Sequence, residues 1–233
     1  LSVPVSDVVG SAFANSALLA VTALSVVTIV SVPLGVLAAL KRGTKADLGI
    51  SFVAYIGTAM PEFVTATLLL VIFAGPNISL LPAGGFIPPG ESVTGFFSHV
   101  ILPAGTLGLI MTAHIARQVR SEMTDVLSSD YIRAARLKGL HERRVIRRHA
   151  LPNSMAPAVA VISLDIGYLL GGIIVVEEIF AWPGLGRLLI LALENRDLPV
   201  IQAIALLLAM VYAISNLLSD LMIAALDPRV RYE

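Results

Sequence analysis

The residues between Asp7 and Lys41 include no charged side chain, and this uncharged stretch constrains the fold more than any other feature. A transmembrane helix needs about 20 mostly apolar residues to cross the hydrocarbon core. One span therefore fits within 14–40, and four further candidates follow at 48–74, 99–116, 154–176 and 198–226. Hydrophobic residues make up 57% of the 233 positions, far above the share in a soluble domain. The sequence predicts an all-α polytopic membrane protein with a single transmembrane domain over 1–233.

Lys and Arg are unevenly distributed along the chain. Fourteen of the sixteen lie in three clusters, at 41–45, 117–148 and 229–231. Because cytoplasmic loops carry an excess of these residues, all three clusters and the C-terminus are predicted inside, and the loops 75–98 and 177–197 outside. Five spans that end inside need an N-terminus outside, and nothing in the first residues would carry that end across. We therefore expect a preceding span and six helices in the complete protein.

The largest predicted inner loop, 117–153, contains a short segment with helix-capping residues at both ends. Ser129 or Asp130 can act as its N-cap, and Gly139 permits the left-handed conformation that ends many helices. Basic residues in the last turn suit the negative end of the helix dipole. The segment is therefore predicted to be a short helix on the cytoplasmic face of the membrane.

Two small residues of this short helix, Ala134 and Ala135, would let a partner protein approach closely. Composition leaves two interpretations open: docking of a partner, or attraction of the basic residues to anionic headgroups at about 1 kcal/mol each. Nucleic-acid binding is not expected, because Tyr131 is the only aromatic residue among the basic ones.

Several segments resemble one known family. The stretch 133–139 carries Ala-Ala-x-x-x-Gly, 149–153 reads His-Ala-Leu-Pro-Asn, and further similarity lies at 175–187, 195–200 and 226–232. Together these segments resemble the membrane permease subunits of binding-protein-dependent ABC importers, in particular the B-type subunit of the dipeptide, oligopeptide and nickel branch. The family's Glu-Ala-Ala loop begins here with Arg in place of Glu, as in the peptide branch.

The resemblance implies a multi-pass subunit of a bacterial inner membrane that forms half of a translocation pathway for di- or oligopeptides. The implied partners are a homologous second permease subunit, two cytoplasmic ATPase domains, an extracytoplasmic solute-binding protein and membrane lipid. The sequence has no Gly-x-x-x-x-Gly-Lys-Ser/Thr, so ATP and Mg are expected in the partner ATPase and no cofactor in this chain. The short helix is expected to act as a coupling helix that docks on the ATPase through Asp130, Tyr131, Arg133, Ala134, Ala135, Arg136, Lys138, Gly139 and Leu140.

Ionisable residues inside spans cost about 2.5–3.5 kcal/mol at mid-membrane, so they usually face a cavity or a partner. Glu62 and Asp165 are pathway candidates, with a helix-packing role as the alternative for each, and Asp220 is interpreted as structural. For the loop 177–197 the resemblance implies an outer gate, and Trp182 is expected to anchor at headgroup depth. The expected gate residues are Glu177, Glu178, Trp182, Pro183 and Gly184.

Two other functional classes have less support in the sequence. An ion-coupled secondary transporter is supported only by Glu62 and Asp165. An intramembrane enzyme is disfavoured because the chain has no cysteine and its four histidines lack the paired spacing of a metal motif, so no metal site is expected.

Overall fold

The computed structural model describes residues 4–76 and 78–226, without the side chains of 156–166, 168, 170 and 223–226. The regular structure of these residues is helical, as predicted. The helices are α1 (Val5–Leu40), α2 (Lys45–Ala59), α3 (Glu62–Phe73), α4 (Val93–Ser128), α5 (Asp130–Leu137), α6 (Glu142–Arg144), a π-helical segment (Val145–Ala150), α7 (Leu151–Ile179), α8 (Leu185–Glu194) and α9 (Leu198–Leu226).

Three helices are long and apolar enough to cross a membrane: Val5–Leu40, Val93–Ser128 and, within α9, Leu198–Met222. The interrupted pair α2 and α3 makes a fourth span if the two count as one. This count applies to the described residues, and the predicted span 154–176 falls largely on side chains outside them. A multi-pass helical protein is therefore confirmed, whereas the number of five spans stays a prediction.

The predicted span 48–74 is interrupted, because α2 ends at Ala59 and α3 begins at Glu62. Pro61 accounts for the break. It has no N–H to donate, and its ring disfavours helical backbone at the preceding residue. Its own carbonyl accepts hydrogen bonds from the N–H groups of Val64 and Thr65, both at 3.1 Å, and so begins the new helix.

Other helix boundaries also differ from the prediction. The helix α4 continues to Ser128, so residues 117–128 of the predicted loop are helical. The predicted loop 177–197 contains the end of α7 and the whole of α8, which the sequence did not indicate. The start of α9 at Leu198 agrees with the prediction.

The chain divides into two compact units. The first consists of the described residues within Leu1–Val26, Met60–Ile110 and Gly167–Ile214, and the second of those within Val27–Ala59, Met111–Ile166 and Ser215–Glu233. Residues of α1, α8 and α9 form an apolar core in the first unit: Val9, Ala12, Leu185, Ala192, Val200 and Ile204. A core of the second unit contains Ala39, Met123, Ile132, Ala135, Val145 and Ala150. The single permease domain over 1–233 stays a prediction.

Candidate functional site

The short helix α5 is fixed to the second unit by its inward side chains. Ile132 is fully buried and Ala135 is 8% exposed. Both pack with Met123 of α4 and with Val145 of the π-helical segment. This burial holds α5 as a rigid projection, because apolar side chains removed from water resist separation.

The opposite face of α5 is exposed. Ala134 and Leu137 lie three residues apart and so share one side of the helix, and Tyr131 lies beside them. Leu137 is 84% exposed and Tyr131 is 46% exposed. The structure thus separates the two predicted small residues, with Ala134 on the free surface and Ala135 in the core. Leu137 was not among the predicted docking residues, although its spacing from Ala134 could have indicated it.

The ends of α5 follow the predicted capping only in part. Ser129 occupies the N-cap position, but its hydroxyl donates to the Val126 carbonyl at 2.5 Å and does not cap α5. At the other end Gly139 has φ 75°, the left-handed conformation that was predicted. The N–H of Gly139 donates to the Arg136 carbonyl at 2.9 Å, and the N–H of Leu140 to that of Ala135 at 3.3 Å, which completes a Schellman motif.

A salt bridge joins α5 to α6. The Arg136 guanidinium donates two hydrogen bonds to the Glu142 carboxylate, at 3.1 and 2.7 Å. Arg136 holds the pKa of Glu142 below its ordinary value through these bonds. The remaining basic residues beside α5 are exposed: Arg133, Lys138, Arg143, Arg144, Arg147 and Arg148.

One predicted gate residue, Glu177, has a buried carboxylate in the first unit. Glu177 is fully buried. Its carboxylate accepts the Ser16 hydroxyl at 2.5 Å and the Gly186 N–H at 2.7 Å. The Ser16 oxygen in turn accepts the Leu185 N–H at 2.7 Å. Ser16 and Glu177 therefore cap the N-terminus of α8, whose first N–H groups have no partner within that helix.

Trp182 is buried in the first unit and does not lie on a surface that headgroups could reach, contrary to the expectation. Its indole Nε1 donates to the Asn15 carbonyl at 3.0 Å, and the Asn15 amide donates to the Pro183 carbonyl at 2.9 Å. The Phe86 ring meets the indole edge to face at 4.7 Å. Of the other predicted gate residues, Gly184 is buried, whereas Glu178 and Pro183 are exposed.

Of the two pathway candidates, Glu62 and Asp165, the structure describes the side chain of Glu62 alone. Glu62 is half-buried, and its Oε1 would lie 3.6 Å from a methyl group added at Gly172. This places the carboxylate against α7, which fits both a packing role and a pathway role. The side chain of Asp165 lies outside the described part of the structure. Asp220 is exposed, and the basic tail that it was expected to face falls outside the described residues.

The glycines expected in helix packing differ in their surroundings. A methyl group at Gly167 would approach the Tyr212 ring to 2.9 Å, so α7 and α9 are close there, whereas Gly171 faces open space. In the described part of the chain, no three His, Asp or Glu residues are placed to hold a metal ion.

Two solved structures have a similar fold. The fold matches a chain of the methionine ABC transporter MetNI with a TM-score of 0.75 at 16% identity, covering 97% of this chain and 100% of that one. It matches an amino acid ABC transporter chain with a TM-score of 0.66 at 17% identity, with the same coverage. The chain thus shares its fold with chains of two ABC transporters.

The family follows from sequence. A family model described as "binding-protein-dependent transport system inner membrane component" matches residues 31–232, and the chain belongs to this family. The oligopeptide transport system permease protein AppB of Bacillus subtilis is 38% identical over 98% of this chain and 73% of its own length. The dipeptide transport system permease protein DppB of Escherichia coli K12 is 42% identical over 92% of this chain and 70% of its own length.

The family confirms the resemblance inferred from the Ala-Ala-x-x-x-Gly segment and its companions. The chain is a multi-pass inner-membrane permease subunit and not itself the ATPase. Such subunits work with an ATPase and a binding protein in general. The ion-coupled transporter and the intramembrane enzyme are therefore set aside.

Proposed function

We propose that this chain is the B-type permease subunit of an ATP-driven peptide importer. It pairs with a homologous membrane subunit, forms half of the pathway, and receives di- or oligopeptides from an extracytoplasmic solute-binding protein. The peptide assignment is supported by AppB and DppB, whose names specify oligopeptide and dipeptide transport at 38% and 42% identity. Two cytoplasmic ATPase domains drive the cycle, because a permease of this kind hydrolyses no nucleotide itself.

The observation that carries the coupling role is the two-sided character of α5. Its inner face, Ile132 and Ala135, is buried among the chain's own helices. Its outer face leaves Ala134 and Leu137 exposed, with Tyr131 beside them. Aromatic and aliphatic side chains around a small residue are suited to the centre of a protein interface. The rigid inner attachment would pass a displacement of the docked ATPase into the permease.

We propose that the predicted gate residues hold the segment between α7 and α8 in place. Glu177 and Ser16 hold the start of α8, and Trp182 holds the segment between α7 and α8 to Asn15. The family resemblance supports the proposal that this segment is an outer gate element, and these contacts within the first unit would hold its shape. Pathway roles for Glu62 and Asp165 remain part of the same proposal.

Substitution of Leu137 by Glu tests the docking surface. The change puts a carboxylate on an exposed apolar position, so it should leave folding unaffected and weaken docking. We expect the amount of ATPase that co-purifies with the permease to fall about tenfold, as for an interface residue that contributes about 1.4 kcal/mol. Uptake of labelled di-alanine and tetra-alanine into cells should fall in parallel.

Leu80→Glu is the matched control, since Leu80 is also a highly exposed leucine, at 69%, and belongs to a different loop. This variant should retain the ATPase in full. Normal recovery of the ATPase with the Leu137 variant, at equal membrane levels, would show that α5 is not the docking surface.

A further inference from the structure

A buried ion pair joins α2 to α4 in the second unit. The Asp47 side chain is 4% exposed, whereas that of Arg120 is 32% exposed. Arg120 Nε donates to Asp47 Oδ1 at 2.6 Å, and a terminal guanidinium nitrogen donates to Oδ2 at 2.8 Å. Two parallel bonds of this kind fix both the distance and the orientation of the groups that they join.

The same carboxylate also holds the turn between α1 and α2. Asp47 Oδ2 accepts the Gly43 N–H at 3.0 Å, and Gly43 adopts a left-handed conformation with φ 78°. The turn is closed by a second bond, from the Thr44 N–H to the Lys41 carbonyl at 3.0 Å. Asp47 is therefore the common partner of the turn and of α4.

Two further contacts join α4 to its neighbours in the second unit. The Arg117 guanidinium, three residues before Arg120, lies 5.3 Å from the centre of the Tyr55 ring and so joins α4 to α2 again. A methyl group at Gly35 would come within 2.6 Å of the Ala116 carbonyl oxygen, so α1 closely approaches the α4 backbone. These helices are therefore held together where α4 leads toward α5.

The ion pair lies close in sequence to the attachment of α5. Met123, three residues after Arg120, packs in the core with Ala39 of α1 and with Ile132 of α5. A displacement of α5 would therefore act on the segment of α4 that contains Arg120. An ion pair with one buried partner adds little net stability compared with apolar residues of the same size, whereas its two parallel bonds fix the geometry of the helices that they join.

We propose that Asp47 and Arg120 are positioning residues for energy coupling, which make α2 and the α1–α2 turn move with α4 when α5 is displaced. The proposal rests on the docking of the ATPase to α5. Arg120→Ala removes both bonds, and Arg120→Lys keeps the charge without the paired geometry. Arg42→Ala is the matched control, because Arg42 is an exposed arginine of the same turn.

The test uses the complete importer in proteoliposomes. The number of ATP molecules hydrolysed per peptide imported should rise about tenfold in Arg120→Ala, a typical coupling effect between two sites, and by less in Arg120→Lys. It should stay unchanged in Arg42→Ala. Proportional loss of hydrolysis and import, with a constant ratio, would mean that the pair only supports folding and would overturn the proposal.

Amide hydrogen exchange provides a readout that needs no transported peptide. When ATP is added to the assembled complex, exchange should change in both α5 and α2 of the wild type. In Arg120→Ala the change should persist in α5 and disappear from α2. An α2 response equal to that of the wild type would contradict the positioning role, whereas a wild type with no response in α5 would instead contradict the proposed docking.

Discussion

Ser16 is a single hydroxyl group with two buried partners. It accepts the Leu185 N–H at 2.7 Å and donates to Glu177 at 2.5 Å. Because a hydroxyl can donate one hydrogen bond and accept two, it is suited to stand between a backbone donor and a carboxylate. Alanine at this position would leave the buried N–H without an acceptor and would deprive the carboxylate of a donor.

Ser16→Ala should therefore destabilise the first unit. The expected cost is about 1–3 kcal/mol, the penalty for a buried polar group that loses its partner. The chain contains one tryptophan, Trp182, which is fully buried in the same unit. Its fluorescence during denaturant unfolding in detergent thus reports on this unit directly.

Ser11→Ala is the control for this measurement. Ser11 lies on the same helix, is exposed, and donates its hydroxyl only to the Val8 carbonyl at 2.9 Å. Its replacement should change stability by about 0.5 kcal/mol or less. Equal unfolding midpoints for the two variants would show that Ser16 does not hold the start of α8.

The helices differ in how far they could be predicted, and α5 and α8 illustrate the difference. The end of α5 at Gly139 was predictable because the left-handed glycine and its hydrogen bonds are local. The start of α8 was not, because its cap comes from Ser16, 169 residues from Leu185, and from Glu177. For the same reason the sequence did not indicate the ion pair between Asp47 and Arg120, which are 73 residues apart. Which face of α5 is buried depends on such distant contacts as well.

The C-terminal end of α5 should tolerate Asn at position 139 better than Val. Space around Gly139 is open, so a side chain there would be disfavoured by the backbone conformation and not by a collision. The left-handed conformation costs about 1–2 kcal/mol for most residues, whereas Asn adopts it more readily. We expect Gly139→Val to import less peptide per ATP than the wild type and Gly139→Asn to remain close to it.

Peptide uptake and ATP hydrolysis, both measured at equal membrane levels, decide this prediction. If Gly139→Val imports as much peptide per ATP as Gly139→Asn, the conformation of this helix end has no part in coupling.

For the protein as a whole, membership of the family establishes that the chain lies in an inner membrane. The distribution of Lys and Arg predicts its orientation there. The fold similarity to ABC transporter chains carries no information about which side each loop faces. The prediction of orientation therefore depends on the three clusters that hold fourteen of the sixteen Lys and Arg. Such charges determine the orientation of a chain when they lie within about 15–20 residues of a span. The loop that contains α5 should face the cytoplasm, and the loop before α4 should face outward.

The absence of cysteine from the sequence makes this orientation directly measurable. Ser128→Cys, beside α5, and Leu80→Cys, in the loop before α4, each introduce one thiol at an exposed position without changing the net charge. A membrane-impermeant maleimide applied to spheroplasts should label the residue at position 80 and spare the one at position 128 until the membrane is permeabilised. The parent chain, which has no thiol, gives the background. Labelling of position 128 in intact spheroplasts would place α5 on the side without ATP and would exclude its proposed docking to a cytoplasmic ATPase.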